Sequence, residues 1–364
     1  MNSTLLWLMS FLKGEDVTTE RSLTEWFRLI ALCRQLGLLA VLADKVDSSN
    51  VCPKVWKRIS THLTSAKLQV INQQKSVKWH IEKLVANNPD SIQFLALKGA
   101  AYLFAGKSIA VGRTMSDVDI LVTKSSLDNA EFWLFLNGYA SINNDDYDDF
   151  YYRQWMHELP PFVNTTGGLT LDLHHNLLPI TSKRFIEPQL LFDEASEIEP
   201  NFFIPCDADL IIHSAVHLLQ DSVFNRTLRD LNDLYHLIEA LVQRNKNTAN
   251  LIERAKTLKL EKDLAKVFAL LQCIFQRNLS TIESDFVKQC LGKSLVWRLE
   301  KCCYITMLQQ PILVEWTVKH HLSSWILFVK SHLIKMPLSL LIKHSYVKTI
   351  KNIKSVWESD ETKK

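Results

Sequence analysis

Leu97-Lys98-Gly99-Ala100-Ala101, and then Arg113-Thr114-Met115-Ser116-Asp117-Val118-Asp119-Ile120-Leu121-Val122, is the stretch that decides the fold. Its first part joins a short apolar run, Phe94 to Leu97, through Lys98-Gly99 to Ala100–Phe104, which suits a helix. The second, from Asp117 to Val122, is rich in Val, Ile and Leu and reads as a strand. Residues two apart on a strand share a face, so Asp117 and Asp119 project together while Val118 and Ile120 turn into the core. Two carboxylates side by side repel, and burying them costs free energy unless a cation neutralises them. Hard oxygen ligands of this kind suit Mg²⁺ or Mn²⁺.

Further along, Leu169-Thr170-Leu171-Asp172-Leu173-His174 alternates in the same way, with the leucines inward and Asp172 and His174 on the opposite face. Three strand-borne carboxylates, Asp117, Asp119 and Asp172, are enough to hold two metal ions, the arrangement that clamps attacking and leaving oxygens in phosphoryl or nucleotidyl transfer. The Lys98-Gly99 turn is then a seat for phosphate: glycine permits close backbone approach, and the helix that follows offers free N–H groups to an anion.

The order of strand, glycine turn, helix, Asp-x-Asp strand and later single Asp on a strand resembles the DNA polymerase β-like nucleotidyltransferase fold. More narrowly, "LKGAAYLF…GRTMSDVDILV…GY…LDLHHNLL" is similar to a group of bacterial nucleotidyltransferase-family proteins, some of which accompany polysaccharide or peptide-product biosynthesis genes. The likeness is clearest from Phe94 to Leu177. It implies that Asp117 and Asp119 are metal ligands, that Asp172 completes the site and helps deprotonate an acceptor hydroxyl, and that two Mg²⁺ or Mn²⁺ ions accompany a bound nucleoside triphosphate such as ATP. In one respect the chain departs from the superfamily. The usual glycine-serine or glycine-glycine pair is Gly99-Ala100 here, so a serine hydroxyl contact to the triphosphate is missing and Lys98 is the candidate replacement.

Other residues admit two readings. Arg113 either holds a phosphate or pairs with Asp117 or Asp119. His174 and, more weakly, His157 either touch substrate or make a structural hydrogen bond. The acidic run Asp145 to Asp149 either attracts a cationic substrate or is a solvated loop. In Arg229-Asp230-Leu231-Asn232-Asp233-Leu234 the leucines are core positions of a helix, and Asp230 and Asp233, at i and i+3, either face the cleft or, by default, pair on the surface. Between Lys319 and Lys354 there are seven lysines and no acidic residue, interleaved with apolar clusters such as Trp325 to Val329. That tail is either an amphipathic element for an anionic membrane or a partner protein, or a helical subdomain packed on the core with its lysines outside.

Around this centre the pattern is helical on both sides. Ser22 and Glu25 form a capping box ahead of Trp26, Leu29, Ile30 and Cys33, Gly37 ends that helix, and a long helix spans Val55 to Ala86. Ser126 to Asn137 reads as a helix closed by Gly138, and strands are expected around His157–Asn164 and Leu169–His174 with Thr165 to Gly168 as the turn. Helical spacing returns from Asp207. The expected fold class is α+β, a small mixed sheet with helices, organised as a helical region (1–90), a nucleotidyltransferase core (91–205) and a helical region with a basic tail (206–364). Of the 364 residues, 47% are apolar and 22% charged, as in an ordinary globular chain, and a net charge of +3 calls for no nucleic-acid partner. Seven cysteines without metal-ligand spacing, and no leader-like start, suggest a cytoplasmic protein. The expected activity moves a nucleoside monophosphate from a triphosphate to a hydroxyl of an unknown small-molecule or protein acceptor, with release of pyrophosphate. The alternatives are a non-catalytic scaffold with this fold and a protein-modifying enzyme of the toxin–antitoxin type.

Overall fold

The computed structural model describes residues 3–15, 21–49, 51–86, 88, 92–142, 146–182, 184–221, 224–309 and 316–361; for Asp146, Lys348 and residues 351–361 it describes the backbone only. At its centre is a sheet of seven short strands: β1 (Phe94–Ala96), β2 (Val118–Leu121), β3 (Tyr139–Ser141), β4 (Phe162–Asn164), β5 (Thr170–His174), β6 (Ser196–Glu199) and β7 (Phe202–Ile204). Their order is β3-β4-β5-β2-β1-β7-β6. β2 runs parallel to β5 and β1 parallel to β7, while the remaining neighbours are antiparallel, so the sheet is mixed and the fold α+β. Parallel neighbours need a long crossover. Between β2 and β5 it contains the helices Leu127–Leu136 and Asp146–Trp155.

β2 is buried throughout, and in β5 Leu171 and Leu173 are inaccessible while Asp172 is half-buried, as the alternation in the sequence requires. One continuous apolar cluster extends from Leu5 to Leu327 and includes both sheet and helices.

The helix Leu23–Gln35 starts at the expected capping box. Ser22 Oγ accepts from the Glu25 N–H at 3.4 Å, and Glu25 Oε2 accepts from the Ser22 N–H at 2.9 Å. The long helix Pro53–Ala86 begins on a proline, whose missing N–H costs nothing in the first turn. Its Gln74 donates to the Ala110 carbonyl at 2.6 Å and so braces the loop leading to Asp117. That loop passes so close to the helix Leu39–Lys45 that a Cβ on Gly112 would lie 2.7 Å from the Val41 nitrogen. With φ at +81° as well, only glycine fits there.

Several elements differ from expectation. Asp117 lies in the bend before β2, outside the ladder. The acidic run is a helix from Asp146 on, because carboxylates in a first turn face the positive end of the helix dipole; Asp145 lies outside the described residues. Of His157–Asn164 only Phe162–Asn164 is strand, Glu158 making an isolated bridge to His174. Strands β6 and β7 carry no clear alternation in the sequence. All seven cysteines are free. Among the described residues no single helix is long and apolar enough to cross a membrane.

Candidate functional site

The parallel register of β2 and β5 sets Asp119 directly beside Asp172. Their surroundings differ sharply. Asp119 is 3% exposed, and its Oδ1 accepts from Lys98 Nζ at 2.5 Å and from His174 Nε2 at 2.9 Å. Burial favours the protonated acid, but Lys98 and His174 outweigh it and hold Asp119 well below the usual carboxylate range. The ammonium of Lys98 is likewise stabilised against burial by Asp119, which moves its pKa up. Lys98 reaches this position from a left-handed backbone, φ +45°, at the turn from β1 into the helix Lys98–Phe104. Such a conformation costs a non-glycine residue about 1–2 kcal/mol, which the ion pair must offset. Gly99 has a packing reason as well: a Cβ there would meet Met115 Cγ at 3.0 Å.

His174 is 1% exposed and stands behind Asp119, with Glu158 Oε2 3.4 Å from its Nε2. Burial opposes its charge, yet the bond to Asp119 and the Glu158 carboxylate raise its pKa. It lines neither cavity described below, and its bond to Asp119 is the contact the structure shows.

Asp172 has no such support. Its Oδ1 is buried without a hydrogen-bond partner among the described residues, and burial, then the charges of Asp119 and Glu158, push its pKa up to about 7. The site is short of positive charge at that point. Among the described residues, Asp117 carries only a 3.1 Å hydrogen bond from Ser116 Oγ. An unpartnered carboxylate oxygen among hard oxygen donors is what a divalent cation would satisfy, and Asp117, Asp119 and Asp172 are donors of the kind Mg²⁺ or Mn²⁺ takes, although their ligand atoms do not all lie within 4.8 Å of one another. A neighbouring group, His157, Glu158 and His174, has ligand atoms within 4.8 Å of one another and offers a mixed nitrogen and oxygen set.

Two cavities open on either side of this centre and share Lys98, Asp117, His217 and Asp221. The first, of about 240 Å³, has a basic wall of Arg113, Arg226 and Arg229 beside Gly99 and Asp119. Arg113 pairs with neither Asp117 nor Asp119: its guanidinium forms ion pairs with Asp233 and, at 3.4 Å, with Asp230, and lies 5.2 Å above the Tyr102 ring. Arg229, 7% exposed, also bonds Asp230 at 2.8 Å. The surface pairing expected for Asp230 and Asp233 is therefore wrong. The helix Thr227–Asn245 turns them towards the cleft, where Arg113, more than a hundred residues earlier, is their partner. Arg226 donates to Ser116 Oγ at 3.4 Å and forms no ion pair among the described residues.

The second cavity, of about 220 Å³, is lined by Asp172, His157, Glu158, His213, Gln220 and Lys335, among others. Lys335 ends the helix Val318–Lys335, which is docked on the core: Leu327 is 1% exposed, Lys330 donates to the Leu219 carbonyl at 3.0 Å, and Thr181 Oγ1 donates to the Lys335 carbonyl at 2.5 Å. This part of the basic tail is packed on the core, with two of its lysines turned inward. Nothing in the sequence singled out Arg226, His217, Gln220, Asp221 or Lys335, all set in ordinary helical or loop context; Glu158, next to His157, carried the nearest signal.

The architecture and this centre define a nucleotidyltransferase-type core, a mixed sheet whose adjacent strands bring carboxylates together. The chain belongs to the family described as uncharacterised nucleotidyltransferases, which matches residues 22–276. No curated protein and no solved structure matches it.

Proposed function

We propose that the protein is a metal-dependent nucleotidyltransferase that moves a nucleoside monophosphate from a nucleoside triphosphate to an acceptor hydroxyl. The observation that carries this reading is the unpartnered Asp172 oxygen beside ionised Asp119, with Asp117 at the mouth of both cavities. The triphosphate occupies the cavity walled by Arg113, Arg226 and Arg229, where Arg226 is, among the described residues, the arginine not engaged in an ion pair. Divalent ions held by Asp117, Asp119 and Asp172 would neutralise the triphosphate and stabilise charge on the α-phosphate. The acceptor enters from the second cavity, so that attack and departure lie in line. Asp172 faces that cavity and takes the hydroxyl proton. A phosphodiester bond forms, the bond between α- and β-phosphates breaks, and pyrophosphate leaves. Lys98 and His174 act through Asp119 by keeping it ionised and fixed.

The test is thermal unfolding of wild type and Asp117→Asn with each of four nucleoside triphosphates, with and without Mg²⁺. A ligand at about 100 times its dissociation constant adds roughly 2.7 kcal/mol. A metal-dependent shift in wild type and none in the variant is expected. The absence of a shift with every triphosphate would sink the proposal.

A further inference from the structure

The second cavity carries polar groups that the transfer reaction itself does not use. Gln220 is 6% exposed and lines the cavity, and its Nε2 is buried without a hydrogen-bond partner among the described residues. A buried amide left unpaired is costly, and a ligand acceptor oxygen would relieve it. Close to it, the imidazoles of His213 and His217 are held neutral by burial, so each presents one donor and one acceptor. Glu158 and Asp221 add acceptors, and Lys335 adds a donor. Met156, Leu177 and Val216 supply small apolar patches between them. Donors and acceptors are thus interspersed around about 220 Å³ rather than gathered by sign.

The carboxylates do not make this a cation pocket. Asp117 and Asp172 belong to the metal centre, and Glu158 faces His174 at 3.4 Å. What remains is Asp221 and Lys335, opposite charges that act on one another, and a set of neutral groups, suited to a ligand whose hydroxyls alternate as donors and acceptors on an apolar ring frame. The volume accommodates one ring rather than a folded chain segment.

We infer that the second cavity is the acceptor site and that its occupant is a polyhydroxylated ring of about monosaccharide size, one hydroxyl placed at Asp172 and another oxygen accepting from Gln220 Nε2. This inference rests on the nucleotidyl-transfer reading and names the acceptor class for the same centre. The step is the one given above with the acceptor specified: a ring hydroxyl oxygen bonds to the α-phosphorus, its proton passes to Asp172, and pyrophosphate leaves with the bonding pair. An amino substituent on the ring is compatible with the same contacts, through Glu158 or Asp221.

The experiment uses the full chain with Mg²⁺ and α-³²P-labelled triphosphate. Acceptors are D-glucose, D-glucosamine, myo-inositol and a serine-containing tripeptide, each at about 10 mM, above the usual range of KM. Nucleotide binding is measured separately by calorimetry. The expected result is label on at least one ring acceptor and none on the tripeptide; glucose against glucosamine reports whether the amine contributes. Gln220→Met and Gln220→Glu, which keep the side-chain size and remove the donor, should each raise acceptor KM by at least about ten-fold with nucleotide affinity unchanged. Two variants are used so that a folding failure in one does not decide the matter. Nucleotide binding with label only on the tripeptide, or on no acceptor, overturns the polyol assignment and leaves nucleotidyl transfer standing. Unchanged acceptor KM in a folded variant overturns it too. No nucleotide binding at all overturns the underlying reading and this inference with it.

Discussion

Asp119 on β2 and Asp172 on β5 are the same residue type at the same level of the same sheet, paired in register, and they sit at opposite ends of the carboxylate range. Lys98 and His174 hold one ionised, whereas burial and the neighbouring charges push the other up to about 7. Their environments, set by one lysine at a turn and one histidine two residues along β5, separate them. Groups driven apart in this way are commonly divided between fixed charge and proton transfer. That division is the one proposed here.

The comparison can be broken most forcefully at Asp119. Asp119→Ala leaves Lys98 and His174 buried without their counter-charge, and removing one partner of a buried pair costs about 3–5 kcal/mol. Urea denaturation at pH 7 should show a loss of that size. A loss under about 1 kcal/mol would mean that solvent reaches the pair.

At the partner position the sign reverses. The folded-state pKa of Asp172 is raised above its unfolded value, so the folded protein binds a proton more tightly. The stability this contributes is complete below about pH 4 and is lost as pH rises through about 7. Asp172→Asn removes that loss. The metal-free variant should be more stable than wild type by about 2–4 kcal/mol at pH 8 and equal to it near pH 4. Destabilisation at pH 8 would contradict the charge-deficient site.

Added Mg²⁺ should narrow the difference between the two carboxylates. At about ten times its dissociation constant it adds roughly 1.4 kcal/mol at pH 8 and little near pH 4, where Asp172 is protonated. A stabilisation of equal size at both pH values would place the ion elsewhere.

The smallest effect isolates the turn. Lys98→Gly and Lys98→Ala both remove the ammonium, but glycine accepts φ +45° without penalty. The glycine variant should therefore be the more stable by about 1 kcal/mol. Equal stabilities would show that the turn relaxes once the lysine is gone.

How much of this was legible follows the range of the interactions. The capping box at Ser22, the end of the long helix at Ala86 and the alternation of Leu171, Asp172 and Leu173 are local patterns, and the structure follows them. The coincidence of Asp119 with Asp172 could be suspected from two alternating segments, but the parallel register that makes them neighbours depends on a crossover of some fifty residues. The acids nearest Arg113 in the sequence are Asp117 and Asp119, whereas its partners, Asp230 and Asp233, are on a helix beyond the sheet. Gln220, His217 and Lys335 fell outside any motif because what they share is a cavity, and a cavity has no signature in one dimension.

Lys335 has a consequence of another kind. The stretch matching the family ends at residue 276, and the helix that brings Lys335 to the second cavity begins at Val318. The carboxylates and the three arginines thus lie inside the matched stretch, while part of the opposite wall comes from outside it. A substitution in that helix would therefore reshape the second cavity without touching Asp117, Asp119 or Asp172.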